Sequence, residues 1–190
     1  MDYKCTVFEN IEESEQLKYF QQAYKQVMGE SLKRVRKSER PDYICKRPDG
    51  SLVGVEFTLI TRDPKESSWD SILDADEYMD GLEGLDFVRG AIATKGAKLK
   101  NTNPETTWQL PDSSILVLST PDCPITEIET FLNDDARDEL LEICQQSGFS
   151  EIWIADHTEV EAYGSIELFG LFPKEFWGYH PNYSRGKPYG

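Results

Sequence analysis

Residues 52–60, LVGVEFTLI, constrain this chain more than any other stretch, because they are apolar at nearly every position and yet include Glu56 and Thr58. A run so short and so rich in branched residues reads as a strand covered on both faces. It follows DYICK and the segment RPDGS, whose Pro-Asp-Gly is strong turn chemistry, so the region from Asp42 onward is predicted to be a hairpin with a central second strand. A glutamate inside such a strand needs a partner, since burying an isolated carboxylate is costly.

The rest of the chain supplies layers for that sheet. A helix is predicted over 10–28 from the spacing of Leu17, Phe20, Tyr24 and Val27, stopped by Gly29. A second is expected over 82–99, with Leu85, Val88 and Ile92 as its stripe. A third, over 126–146, would bury Ile128, Phe131, Leu140, Leu141 and Cys144 and end at Gly148. Between them lie the strand-like runs SSILVLST, EIWIAD and SIELFGLFP. The basic run from Lys33 to Arg40 reads as an exposed loop ahead of Pro41. Residues 63–86 read as an acidic connector carrying a short helix around Trp69, Ile72, Leu73, Tyr78 and Met79, and the aromatic tail EFWGYHPNYSRGKPYG as a surface-packed strap. This order predicts an α/β fold with a central mixed sheet between helices, a three-layer α/β/α arrangement. No internal repeat appears, so residues 1–190 are expected to form a single domain, with 1–120 as its core and 121–190 adding a helix, strands and the tail.

Charge narrows the function. The 190 residues include 35 acids and 20 Lys plus Arg, a formal net charge of −15, which argues against a protein that coats nucleic acid with its whole surface. The charges are segregated, however. Seven basic residues lie in 33–47 and three in 95–100, whereas 63–86 holds nine acids against Lys65 alone. A local basic groove is therefore compatible with the overall charge. The amino terminus lacks a basic, then apolar, leader, and no run approaches a membrane span. Cys5, Cys45, Cys123 and Cys144 show no metal-ligand spacing with one another or with His157 and His180. Free thiols in a reducing cytoplasm are the expectation.

The residues best placed for chemistry are Asp42, at the start of one hairpin strand, and Glu56, inside the next. Pairing of those strands would bring two carboxylates together. Such a pair, joined by the backbone carbonyl of Phe57, suits a hard divalent cation such as Mg²⁺ or Mn²⁺. The competing reading has Asp42 capping a turn and Glu56 paired with Arg36 or Arg40. Asp156-His157 would be an exposed strand end. Tyr179, His180, Tyr183 and Tyr189 could stack bases, or simply pack against the domain.

Pro41-Asp42 followed by Glu56-Phe57-Thr58, with a helix before them, resembles the PD-(D/E)XK nuclease superfamily, the restriction-endonuclease-like fold. That resemblance implies metal-assisted phosphodiester hydrolysis with Asp42 and Glu56 as ligands. It also exposes a departure, because Thr58 stands where the family usually has its lysine. Some members move this lysine to the following helix, where Lys95 falls on the inner stripe and Lys98 shares a face with it. Many carry a helix glutamate that reaches the metal, and Glu13, four before Leu17, is the matching position, with Glu12 as the alternative. A solvated helix face for both lysines, and a dipole-favoured acid at Glu13, are the plainer explanations. The other functional class open to the chain is an acidic binding protein, of immunity or inhibitor type, which would mask a basic protein partner with surfaces around 70–86 and 134–142.

Overall fold

The computed structural model describes residues 13–61, 79–101, 103 and 111–180. Cys5, Glu12, Tyr183, Tyr189 and nearly all of the acidic connector lie outside the described residues.

Seven strands form one mixed sheet in sequence order: β1 (Lys33–Lys37), β2 (Tyr43–Lys46), β3 (Leu52–Leu59), β4 (Ser113–Thr120), β5 (Glu151–Asp156), β6 (Glu167–Phe172) and β7 (Gly178–His180). The centre, β3-β4-β5, is parallel, and both flanks are antiparallel. Parallel neighbours require crossovers. These are α2 (Gly81–Leu99) and the pair α3 (Ile125–Glu129) and α4 (Asp134–Ser147), all packed on one face. The other face is covered by α1 (Glu13–Met28), which buries Leu17, Phe20, Ala23 and Tyr24. A short helix, α5 (Val160–Tyr163), precedes β6. The result is a three-layer α/β/α fold, and among the described residues no helix is long and apolar enough to cross a membrane.

Alternation along the strands divides the interior into two cores. Val53, Val55 and Phe57 of β3 join Ile115, Val117 and Trp153 beneath α1, while Leu116, Leu118, Ile152 and Ile154 join Leu85, Val88 and Ile92 beneath α2. The hairpin forms as expected. Asp49 Oδ1 accepts from both the amide and the hydroxyl of Ser51, at 2.9 and 2.7 Å, and Gly50 adopts φ +93°, a conformation glycine reaches without a Cβ penalty.

Four local expectations need correction. The basic run is not a loop: Lys33–Lys37 pairs with β2 as the edge strand, with all five residues exposed and a bulge between Arg34 and Arg36. Charged edges of this kind discourage pairing with other chains. The third helix is broken, because Asn133 caps a fresh start by accepting from Ala136 N at 2.9 Å. Phe131 consequently falls in the interruption and is 38% exposed. The tail does more than cover the surface, since β7 extends the sheet and Phe176 stacks on Trp153 at 5.4 Å. Finally, Asp156 and His157 are buried. Asp156 accepts from Ile125 N at 2.9 Å, anchoring the start of α3, and from Thr158.

Cys45, Cys123 and Cys144 are buried free thiols, and burial pushes them up to about 11, 12 and 12.

Candidate active site

Strand register explains why one glutamate interrupts an apolar strand. Glu56 and Thr58 pair with Leu116 and Leu118, so their side chains share the α2 side of the sheet. At that level α2 offers no hydrophobe. Its core stripe runs through Leu85, Val88, Ile92 and Leu99, and Lys95 lies beside it, three residues after Ile92. The ammonium of Lys95 meets Glu56 Oε1 at 2.5 Å. Glu56 therefore pairs with an amine from the crossover helix, and not with Arg36 or Arg40.

Asp42 sits one residue before β2 and bonds to both Glu56 and Phe57 of β3. The Asp42 amide donates to Glu56 Oε2 at 3.3 Å, while Asp42 Oδ2 accepts from the Phe57 amide at 2.8 Å. Side chains thus continue the β2–β3 ladder beyond its last backbone pair, Tyr43 with Val55. Pro41 fixes this approach by packing on Gly54, where a Cβ would lie 2.6 Å from Pro41 Cγ. Burial pushes the Asp42 carboxyl up to about 6; the Phe57 amide opposes this, Glu56 adds to it and Lys95 opposes it.

The remaining candidates stand further out. Glu13 begins α1 and forms an exposed ion pair with Lys37 at 2.7 Å. Its charge acts on Asp42 only weakly. Lys98 is exposed on α2. Phe57 enters the site through its amide. Among the described residues no group of three or more His, Cys, Asp or Glu side chains is arranged to hold a metal ion. The two carboxylates alone still suit Mg²⁺, which binds through one or two acids and keeps several waters.

Three cations share the Glu56 side of the sheet by register. Lys33 lies opposite Lys46, and Arg36 opposite Ile44, which itself pairs with Gly54. Arg47 does not belong to this group. It turns to the α1 side, where it binds Glu151 at 2.5 Å and the Tyr24 hydroxyl at 2.9 Å, while Trp153 Nε1 donates to Glu151 at 3.0 Å. Lys100 donates to the carbonyl of Gln146. Tyr179 bonds Glu167, and His180 Nε2 lies 3.0 Å from the Phe176 carbonyl. Sequence spacing carried no signal for the Arg47–Glu151 contact, which joins residues 104 positions apart.

A cleft of about 270 Å³ opens beside Lys95, between the end of β3 and the outer face of α2. Thr58 lines it, and its hydroxyl is buried with no hydrogen-bond partner among the described residues.

No protein-family model matches the chain, and no curated protein matches it. Among solved structures the chain is similar to SfsA of Pyrococcus furiosus in complex with Ca²⁺, at 15% identity and a TM-score of 0.28, with 74% of this chain and 57% of that chain covered. The chain thus spans little more than half the length of that protein.

Proposed function

We propose that the chain is a divalent-metal-dependent nuclease of restriction-endonuclease-like architecture, with Asp42 and Glu56 as metal ligands and Lys95 as the cation at the reacting phosphate. The observation carrying this reading is the meeting of Asp42 and Glu56, from neighbouring strands, with the Lys95 ammonium from the following helix. A bound Mg²⁺ or Mn²⁺ would supply a water of lowered pKa and polarise a phosphoryl oxygen.

The protein's own groups do the rest. The amides of Asp42 and Phe57 each hold a carboxylate oxygen, fixing both acids before substrate arrives. Lys95 neutralises Glu56 in the unliganded site and offsets charge on the phosphoryl oxygens when substrate is present. It thereby fills, from the helix, the role that Thr58 cannot perform from the strand. Lys98, one turn along α2, and Glu13, through Lys37, are proposed to act at longer range. Lys33, Arg36 and Lys46 support a local basic groove that guides a polyanion, while the rest of the −15 surface repels it.

The test is hydrolysis of labelled DNA and RNA with Mg²⁺ or Mn²⁺, alongside calorimetric titration of the metal. Asp42→Asn with Glu56→Gln should abolish metal binding and leave the fold intact. Lys95→Met should lower the rate by about 100–1,000-fold, as expected for loss of one donor to a developing oxyanion. Absence of metal binding by the wild-type protein would overturn the reading. The acidic-binder alternative draws on the exposed acids of α4, Asp134, Asp135, Asp138 and Glu142. Salt-sensitive binding to a basic protein, with no metal affinity, would favour it.

A further inference from the structure

Gly54 interrupts β3, although nothing in its own backbone requires a glycine. It is not among the glycines of positive φ, and it pairs with Ile44 on one side and Ser114 on the other as an ordinary ladder residue. A glycine in a strand interior weakens the strand, and it often marks a place where another part of the chain comes close. Here the reason is space. A Cβ at position 54 would lie 2.6 Å from Pro41 Cγ, 3.4 Å from Pro41 Cβ and 3.4 Å from Pro111 Cδ. Gly54 and Pro41 are both buried, so the pyrrolidine ring rests on bare backbone.

That contact bears on the site through a single peptide bond, since Pro41 is joined to Asp42. Gly54 precedes Glu56 by two residues and so shares its face of the sheet, the face on which the ring lies. The next residue, Asp42, accepts from the Phe57 amide at 2.8 Å and donates its own amide to Glu56 Oε2 at 3.3 Å. A proline ring cannot rotate out of a methyl group's way as a longer side chain would. With ordinary carbon contacts at about 3.5–4.0 Å, an alanine at 54 must drive the ring back by about 1 Å, and Asp42 moves with it. A shift of that size takes a 2.8 Å hydrogen bond out of range. Gly81, Gly84, Gly96 and Gly170 are crowded too, but by residues outside the site.

We propose that Gly54 is a positioning residue: the absence of a side chain there lets Pro41 seat against β3, and Pro41 holds Asp42 where its carboxylate meets the Phe57 amide beside Glu56. Gly54 touches neither metal nor substrate in this role and acts only through Pro41 and Asp42. The inference rests on the reading of Asp42 and Glu56 as metal ligands in its consequence alone, which is that a displaced Asp42 weakens the hold on the cation. Groups that orient a metal ligand without touching the metal typically change its affinity by about 10–100-fold.

The experiment follows the Phe57 amide by NMR hydrogen exchange in the isotopically labelled full chain without metal, and the affinity for Mg²⁺ by calorimetry. Asp42→Ala sets the exchange rate expected when the contact is lost. Gly54→Ala should raise Phe57 exchange by about 10-fold or more relative to the other amides of β3 and weaken Mg²⁺ binding by about 10–100-fold. Pro41→Ala removes Cγ, and in the Pro41→Ala/Gly54→Ala double variant the new methyl takes the space the ring gave up, so both readouts should return to within about 3-fold of wild type. Wild-type Phe57 exchange in Gly54→Ala would overturn the proposal, as would a double variant no better than the single one. Exchange raised equally along the whole of β3 marks a merely structural glycine and also counts against it. Where Gly54→Ala alone does not fold, a folded double variant supports the role of Pro41 and an unfolded one overturns it. The two readings fail separately. Phe57 exchange that follows Gly54 and Pro41 in a protein without affinity for Mg²⁺ keeps the positioning role and sinks the nuclease; Mg²⁺-dependent cleavage indifferent to Gly54→Ala does the reverse.

Discussion

Replacing Lys95 by methionine probes the centre of the site without reference to any substrate. Glu56 is 5% exposed and pairs with the Lys95 ammonium at 2.5 Å. Methionine retains most of the apolar stem but leaves the carboxylate without its counter-charge. Removing one partner of a buried pair costs about 3–5 kcal/mol. The Lys95 side chain is 20% exposed, so water can reach the vacated position and the lower end, about 3 kcal/mol, is expected. For a chain of this length each kcal/mol moves Tm by about 2–4 °C, giving a fall of about 6–12 °C. Glu56→Gln alone should cost about 1 kcal/mol, because the amide oxygen can still accept from Asp42 N and Lys95 can turn to solvent. The double variant should then lie within about 1 kcal/mol of wild type, a coupling of opposite sign to the single losses. Urea unfolding followed by far-ultraviolet circular dichroism at pH 8 measures all four corners of this cycle. A Lys95→Met protein within about 0.5 kcal/mol of wild type, or strictly additive losses in the double variant, would refute the claim that this ion pair permits the burial of Glu56.

Other consequences can be checked in the same assay. The Asp42 carboxyl is raised from 3.8 to about 6, so the folded state holds its proton more tightly than the unfolded chain, and stability declines as pH rises through that interval, by up to roughly 3 kcal/mol. Asp42→Asn keeps the acceptor for the Phe57 amide and should flatten that limb; an unchanged pH profile would contradict it. His157 behaves oppositely, since burial lowers it from 6.5 to about 3. Stability should fall as pH drops through that range, by up to roughly 5 kcal/mol, and His157→Leu should remove the slope. Two glycines of α2 should differ in sign. Gly90→Ala, whose Cβ would meet nothing within 4 Å among the described residues, should stabilise by up to about 1 kcal/mol, whereas Gly96→Ala, whose Cβ would lie 2.8 Å from Ser147 Cα, should destabilise by about 1–3 kcal/mol.

Patterns confined to a few neighbouring residues were legible in advance. Apolar spacing placed α1 and α2, and the Pro-Asp-Gly turn placed the hairpin. The uninterrupted runs of β4 and β5 read correctly because a strand buried on both faces has no polar phase to obscure it. Local cues failed where pairing or capping overrode them. The sequence KRVRK has no strand alternation and becomes β1 only because β2 offers it a backbone ladder. Asn133 broke a helix whose hydrophobic spacing ran straight through it, and Asp156 was drawn inward by the unsatisfied amide at the start of α3.

The same division holds at the site. By itself, the sequence determined that a carboxylate must lie inside an apolar strand, that a second acid would face it across a hairpin, and that the next helix carries a lysine beside its core stripe, because periods of 2 and 3.6 fix which side chains share a face. Only the tertiary structure decided which cation Glu56 takes, that Arg47 leaves for Glu151, and that a cleft lies beside Lys95. Those outcomes depend on how α2 and α1 settle on opposite faces of the sheet, a choice made by close packing between residues far apart in the chain.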